Sequence, residues 1–248
     1  VNGVLYLVSG TNLYSVTPGF SATLLGNIAA SGPVTIVYNG FQIGFFTGPA
    51  LWVYTLKTQV LVQVNLPFPP SGAAVELDGF TLAAQSNPPI IWQSELLDMT
   101  TWNALAFGSE TGNGEPIVTM AVMNREIFVF KNTVTGVWVD VGSAPFAFAR
   151  LDGVYIEAGA CAAGAVSQIG DSLVFVNQNS QGNATILQLR GYQPQVVSTH
   201  ALEIVLQGYP TLNDLVSYSY QQDGHHWYVL NSPSGNATWV FDSTTSQR

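Results

Sequence analysis

Along the chain, runs rich in β-branched and aromatic residues alternate with tight-turn dipeptides, and the alternation repeats. The dipeptides are Asn2-Gly3, Asn39-Gly40, Asp78-Gly79, Asn124-Arg125, Gly170-Asp171 and Asp223-Gly224, at successive intervals of 37, 39, 46, 46 and 53 residues. Asn-Gly and Asp-Gly accept the positive φ of a two-residue hairpin, and β-branched and aromatic side chains suit a pleated, half-buried surface. Each dipeptide therefore predicts a pair of antiparallel strands. A further strand-like run begins 10 to 15 residues beyond each turn, at 13–16, 51–54, 90–93, 137–140, 186–189 and 239–242.

The second repeat shows the full plan, with strands predicted at 34–38, 41–46, 51–54 and 60–65, and the fifth repeats it at 165–169, 172–176, 185–189 and 195–198. Four-stranded meanders at a period of about 40–50 residues are the signature of propeller blades, since blades stacked face to face bury both sides of every sheet. The expectation is an all-β chain forming one β-propeller domain over residues 1–248, with six four-stranded antiparallel blades, or seven in a longer polypeptide. The last interval is longest because it contains residues 198–207, where a Ser or Thr cap, helically spaced apolar residues and a stop at Gly208 predict two turns of helix. Repeat one lacks its first strand and repeat six its fourth. The chain is accordingly expected to be part of a longer polypeptide, and its end at Arg248 is a residue type after which trypsin cleaves.

Charge narrows the partners. Only 8% of residues are charged against roughly 25% in ordinary soluble domains, and the formal net charge is −9 with six Lys and Arg in all. Binding a phosphate backbone requires clustered cations, and these are scattered, so no direct nucleic-acid binding is expected. Membrane insertion is not expected either, because the most apolar stretch, residues 41–54, is interrupted by Gln42, Gly44, Thr47, Gly48 and Pro49. Cys161, in a Gly-Ala-Cys-Ala-Ala setting, reads as a small buried hydrophobe.

Candidate chemistry is sparse. The segment from Ser94 to Trp102 resembles the Asp-box turn of sialidase-like propellers, in which Asp98 would brace a hairpin and Trp102 would pack beneath it as a buried aromatic; that role is structural. His225 and His226 are adjacent in a predicted strand and point to opposite faces, so they cannot clamp one metal. Glu157 could act as a general acid in a cleft, but no second carboxylate is spaced to work with it. No catalytic, metal or cofactor site is predicted.

Several segments, in order along nearly the whole chain, resemble the packaged-DNA stabilisation proteins of short-tailed bacteriophages, the tail accessory factors that form the hub below the portal. They are 3–16, Asp98 with 102–105, 191–201, 218–225 and 237–242. The most specific runs from Gly142 through Pro145, Phe146, Phe148 and Arg150 to Glu157, Gly159 and Cys161. Pro145, Phe146, Phe148, Arg150, Glu157, Gly159, Cys161, Asp98 and Trp102 are thus the family-signature positions, structural or interfacial in role. At Gly136, before Val137 and Trp138, the family pattern leads one to expect Glu, which puts in doubt any polar contact that Glu would make. The resemblance implies a non-enzymatic virion protein made in the bacterial cytoplasm. Its partners would be portal, adaptor and tail needle or spike proteins, it would form a homo-oligomeric, hexameric ring, and it would help to close the channel on packaged DNA. The rival is a carbohydrate-binding or glycoside-hydrolysing propeller, which would need two converging carboxylates or a shallow aromatic platform.

Overall fold

A computed structural model describes residues 1, 3–179 and 181–245. Asn2 of the first predicted turn and Arg248, on which the expectation of a tryptic end rests, lie outside the described residues.

The six repeats are six antiparallel sheets, each a meander whose sequence neighbours are hydrogen-bonded neighbours. Sheet A holds β1 (Leu5–Ser9), β2 (Asn12–Val16) and β3 (Ala22–Asn27), and sheet B holds β4 (Thr35–Tyr38), β5 (Gln42–Phe46), β6 (Leu51–Thr55) and β7 (Val60–Val64). Sheet C holds β8 (Ala74–Leu77), β9 (Phe80–Gln85), β10 (Ile90–Glu95) and β11 (Asp98–Ser109), and sheet D holds β12 (Thr119–Met123), β13 (Glu126–Phe130), β14 (Thr135–Asp140) and β15 (Phe148–Arg150). Sheet E holds β16 (Val166–Ile169), β17 (Ser172–Gln178), β18 (Ala184–Arg190) and β19 (Gln193–Val196), and sheet F holds β20 (Val216–Gln222), β21 (His225–Ser232) and β22 (Ala237–Asp242). Sheets A and F thus have three strands, as the incomplete first and last repeats predict.

Turn chemistry sets the registers. Asp78-Gly79 (φ 54° and 86°), Asn124-Arg125 (53° and 62°) and Asp223-Gly224 (52° and 81°) are left-handed at both central residues, the type I′ geometry. In the second repeat the turn falls one residue later than predicted. Gly40, at φ 95°, is its first central residue and Phe41 the second, while the Asn39 side-chain oxygen accepts from the N–H groups of Phe41 (3.1 Å) and Gln42 (2.8 Å). Glycine leads there and at Gly170 because a type II′ turn needs positive φ only at that position.

The chain divides into two compact units, residues 1–85, 91–108 and 144–146 in one, and 86–90, 109–143 and 147 onward in the other. In the first, sheet A packs on sheet B through Leu13, Ile43, Phe45 and Tyr54, all buried, with Tyr6 and Val8 closing the layer. Sheet B meets sheet C where Gly44 lies under Met99, so close that a Cβ would come within 2.9 Å of the sulfur. In the second, Phe130 stacks edge-on against Phe175 between sheets D and E (centroids 5.0 Å apart), and Val174, Val176, Tyr228 and Leu230 join sheets E and F. The helix α1 (His200–Gln207) drops its buried Leu206 into that same layer. It begins at the Thr199 cap, whose hydroxyl accepts from Leu202 N–H at 3.4 Å; Ser198, the earlier predicted start, instead accepts from Ile186 N–H at 3.2 Å.

Candidate functional site

The most concentrated chemistry lies in the second unit, around a carboxylate that sequence reasoning did not single out. Glu110 is 1% exposed and Lys131, the residue after the apolar strand β13, is 0% exposed. The Lys131 ammonium lies 3.6 Å from Glu110 Oε1 and donates to the Glu110 carbonyl at 2.9 Å and to Asn113 Oδ1 at 3.2 Å. Trp138 Nε1 donates to Glu110 Oε2 at 2.6 Å, and Arg150 Nη2 lies 3.7 Å from Oε1 while its guanidinium sits 5.6 Å from the Tyr155 ring centroid. Two cations and an indole thus surround one anion, and a buried charge needs that degree of pairing. A Cβ at Gly136 would stand 2.6 Å from Glu110 Oε2. The side chain of Glu110 fills the space next to Trp138 into which a residue at 136 would project.

Two signature positions converge on this cluster. Arg150, paired across β14 and β15 with Trp138, is one. Gly159 is the other: it lies against the Lys131–Asn132 backbone so tightly that any Cβ would collide with it. Nearby, Thr135 donates to the Ala158 carbonyl at 2.7 Å and Ala160 N–H to the Lys131 carbonyl at 2.9 Å, fixing the segment to the end of β13. Phe146 and Phe148 are buried, Pro145 and Glu157 exposed, and Cys161 half-buried with its N–H on the Val176 carbonyl at 2.9 Å. Burial pushes the Cys161 thiol up to about 12. Glu157, on the surface, is not held in a cleft as general-acid chemistry would require.

Asp98 and Trp102 belong to the first unit. Asp98 opens β11, and its carboxylate accepts from Thr100 N–H (2.9 Å), the Thr100 hydroxyl (2.6 Å) and the Thr101 hydroxyl (2.8 Å). Partial burial raises its pKa, but these bonds and a longer one from Gln42 outweigh it and hold the group below the ordinary carboxylate range. Gln42 Oε1 accepts from Met99 N–H at 2.7 Å, tying sheet B to sheet C. Trp102 donates to the Met99 carbonyl at 2.8 Å and makes a T-shaped contact with Phe68, but it is half-buried rather than buried beneath a hairpin, because β11 is an edge strand most of whose residues are exposed.

His225 and His226 do face opposite ways. His225 Nδ1 sits 2.7 Å from Asp242 Oδ2, beside a row formed by Trp227, Tyr220 and Tyr218 whose successive ring centroids are 6.4 Å apart. His226 lines a polar cleft of about 350 Å³ with Arg190, Gln188 and Ser172. The Glu110 cluster, a deeply buried carboxylate ringed by donors, braces the fold, and the Glu115 carboxylate, which accepts from Thr133 and lies in the field of Lys131, adds a second negative charge beside it.

Six small antiparallel meanders with that internal bracing define a β-propeller scaffold. The family described as bacteriophage P22 Gp10, beta-propeller, matches residues 1–248, and the chain belongs to this phage-stabilisation family. Its role is therefore that of a phage structural protein. A search of curated protein sequences gave no match. Among solved structures the chain is similar to the N-terminal domain of Nup159, with a TM-score of 0.58 and 11% identity over 98% of this chain and 71% of that one. It is also similar to a chain of the Mitotic Checkpoint Complex, with a TM-score of 0.50 and 11% identity over 96% of this chain and 83% of that one. At such identities the likeness is one of fold alone.

Proposed function

We propose that this propeller is a tail component that assembles below the portal, with adaptor and needle or spike proteins as neighbours, in a homo-oligomeric and by resemblance hexameric ring, and helps to keep packaged DNA inside the capsid. The observation that carries this reading is the family match across all 248 residues. The task is mechanical rather than catalytic: the chain supplies protein contact surfaces that complete a plug. Its low charge and its exposed Ser, Thr, Asn and Gln suit broad uncharged contacts. Of its six cations, Lys131 and Arg150 are committed to Glu110, which leaves little positive field on a chain of net charge −9.

Electron microscopy of the protein mixed with its portal and adaptor proteins is the decisive experiment; a ring seated below the portal is the expected result, and absence from the tail would overturn the reading. Titration against labelled duplex at about 0.15 M salt, where the Debye length is near 8 Å, should show no appreciable binding. Micromolar or tighter affinity that collapses with added salt would refute the mechanical account. A sugar-dependent rise in melting temperature, traced to the Tyr218, Tyr220 and Trp227 row, would favour the carbohydrate reading instead.

A further inference from the structure

Asn2, Asn39 and Asn113 each precede a glycine. In such a pair the side-chain amide lies open to attack by the next backbone nitrogen, because glycine puts no Cβ in the way. Asn2 lies outside the described residues; the other two curl alike. Asn39 Oδ1 accepts from Phe41 N–H at 3.1 Å and Asn113 Oδ1 from Glu115 N–H at 3.2 Å. Each bond closes a ring that contains both Cγ of the asparagine and the nitrogen of the glycine between, and so folds one over the other.

Their surroundings differ. Asn39 is 7% exposed, its oxygen takes a second neutral donor in Gln42 N–H at 2.8 Å, and its own N–H donates to the Gln42 carbonyl at 3.2 Å, so the hairpin holds this backbone in place. Asn113 is exposed, in the loop between β11 and β12. Among the described residues no backbone hydrogen bond fixes 111–114, and Gly114 N–H meets no acceptor.

The second difference is a cation. Asn113 Oδ1 also accepts from the Lys131 ammonium at 3.2 Å, and that side chain is 0% exposed. A desolvated ammonium on a carbonyl oxygen draws electrons from the carbon and stabilises the negative charge that gathers on the oxygen when a nucleophile adds. Two carboxylates share the neighbourhood. Glu110 Oε1 lies 3.6 Å from the same ammonium, a longer contact than the hydrogen bond to Asn113, and Glu115 is taken up by Thr133 N–H at 3.0 Å and the Thr133 hydroxyl at 2.6 Å.

We propose that Asn113 is a self-modifying residue, whose side-chain amide Lys131 activates toward the Gly114 nitrogen, so that the folded chain converts this position to aspartate and isoaspartate. The Gly114 nitrogen gives its proton to hydroxide and bonds to Cγ of Asn113; the Cγ–Nδ2 bond breaks, and Nδ2 leaves as ammonia with a proton from water. Water then opens the resulting succinimide at either carbonyl, with no oxidation or reduction. The product sets a carboxylate in place of an amide against the Lys131 ammonium, and the change runs one way. It rests on geometry within one unit of the chain and is independent of the assembly role.

The test keeps the folded chain in mildly alkaline buffer beside a synthetic peptide with the sequence of residues 109–118. Both are sampled over time by mass spectrometry of digests, in which conversion exchanges an amino group for a hydroxyl. A fold that merely holds the backbone slows this reaction, so the sign of the difference is diagnostic. Asn113 should convert about tenfold faster in the chain than in the peptide, the worth of one hydrogen bond from a charged donor, while Asn39 stays intact in the same sample. A rate at Asn113 equal to or below that of the peptide, or Asn39 converting as fast as Asn113, would overturn the proposal. Glu110→Gln combined with Lys131→Met removes the buried pair together and strands neither charge. In that variant, once circular dichroism shows it folded, Asn113 should fall to the rate of the peptide or below; undiminished conversion would remove Lys131 from the reaction and overturn the proposal. If the variant does not fold, the comparison of chain with peptide decides alone.

Discussion

Replacing Glu110 by Ala removes the counter-charge of an ammonium that is 0% exposed. Lys131 keeps the neutral acceptors at the Glu110 carbonyl and Asn113 Oδ1 and the field of the Glu115 carboxylate, and Trp138 loses the oxygen that its indole N–H meets at 2.6 Å. Breaking a buried ion pair from one side costs about 3–5 kcal/mol, and Glu115 offsets only part of this because its carboxylate is taken up by Thr133. At this chain length that is a fall in melting temperature on the order of 10 °C. Gly136→Glu alone should also destabilise, because it drives a second carboxylate into space where even a Cβ would lie 2.6 Å from Glu110 Oε2. The two changes together should offset each other: the new carboxylate would enter the vacated space beside Trp138 and Lys131, and the double variant should melt above both single variants. Thermal unfolding followed by near-ultraviolet circular dichroism, which reports tertiary packing, is the assay. A loss below about 1 kcal/mol for Glu110→Ala, or a double variant no more stable than the worse single one, would refute the account of the cluster.

Three further outcomes are expected. Gly159→Ala should cost roughly 1–3 kcal/mol in urea unfolding, as overpacking does, because its Cβ meets the Lys131–Asn132 backbone rather than a yielding side chain; an unchanged midpoint would show that the segment can shift. The Asp242 carboxyl is held down to about 2 by the Thr245 hydroxyl, then by Thr244 N–H and His225, against partial desolvation. Its folded pKa lies below the unfolded value near 3.9, so its contribution is fully present above about pH 4 and is lost as pH falls toward 2; Asp242→Asn should flatten that acid limb, and parallel melting profiles would count against it. The Cys161 thiol, raised to about 12 by burial, should resist a disulfide reagent at pH 8 in the folded protein and react fully in urea.

The repeats were legible because turn and strand chemistry are local. Asp78-Gly79, Asn124-Arg125 and Asp223-Gly224 fill both central positions of left-handed turns. Thr199 and Gly208 bound the helix on equally local grounds. The predicted second turn was one residue early because Asn39-Gly40 can close a hairpin in two registers, and packing chose the one that sends Gln42 to Met99 and Asp98 in sheet C. That choice depends on residues 56 and 57 positions away, beyond the reach of any local signal.

The Glu110 cluster was hidden for the same reason, yet it left traces. A lysine directly after the apolar strand β13 is costly unless an anion waits for it, and a glycine inside β14, where side chains normally pack, marks a close approach. Each trace alone has a duller explanation: Lys131 could have turned outward, and Gly136 could have eased a bend. Joined with Trp138 and Arg150 they require one carboxylate in the space beside Gly136, and Glu110 provides it from 26 residues upstream. In this chain the charge beside Trp138 comes from Glu110 and not from position 136, and the paired substitutions at 110 and 136 test whether a carboxylate entering from β14 can take its place.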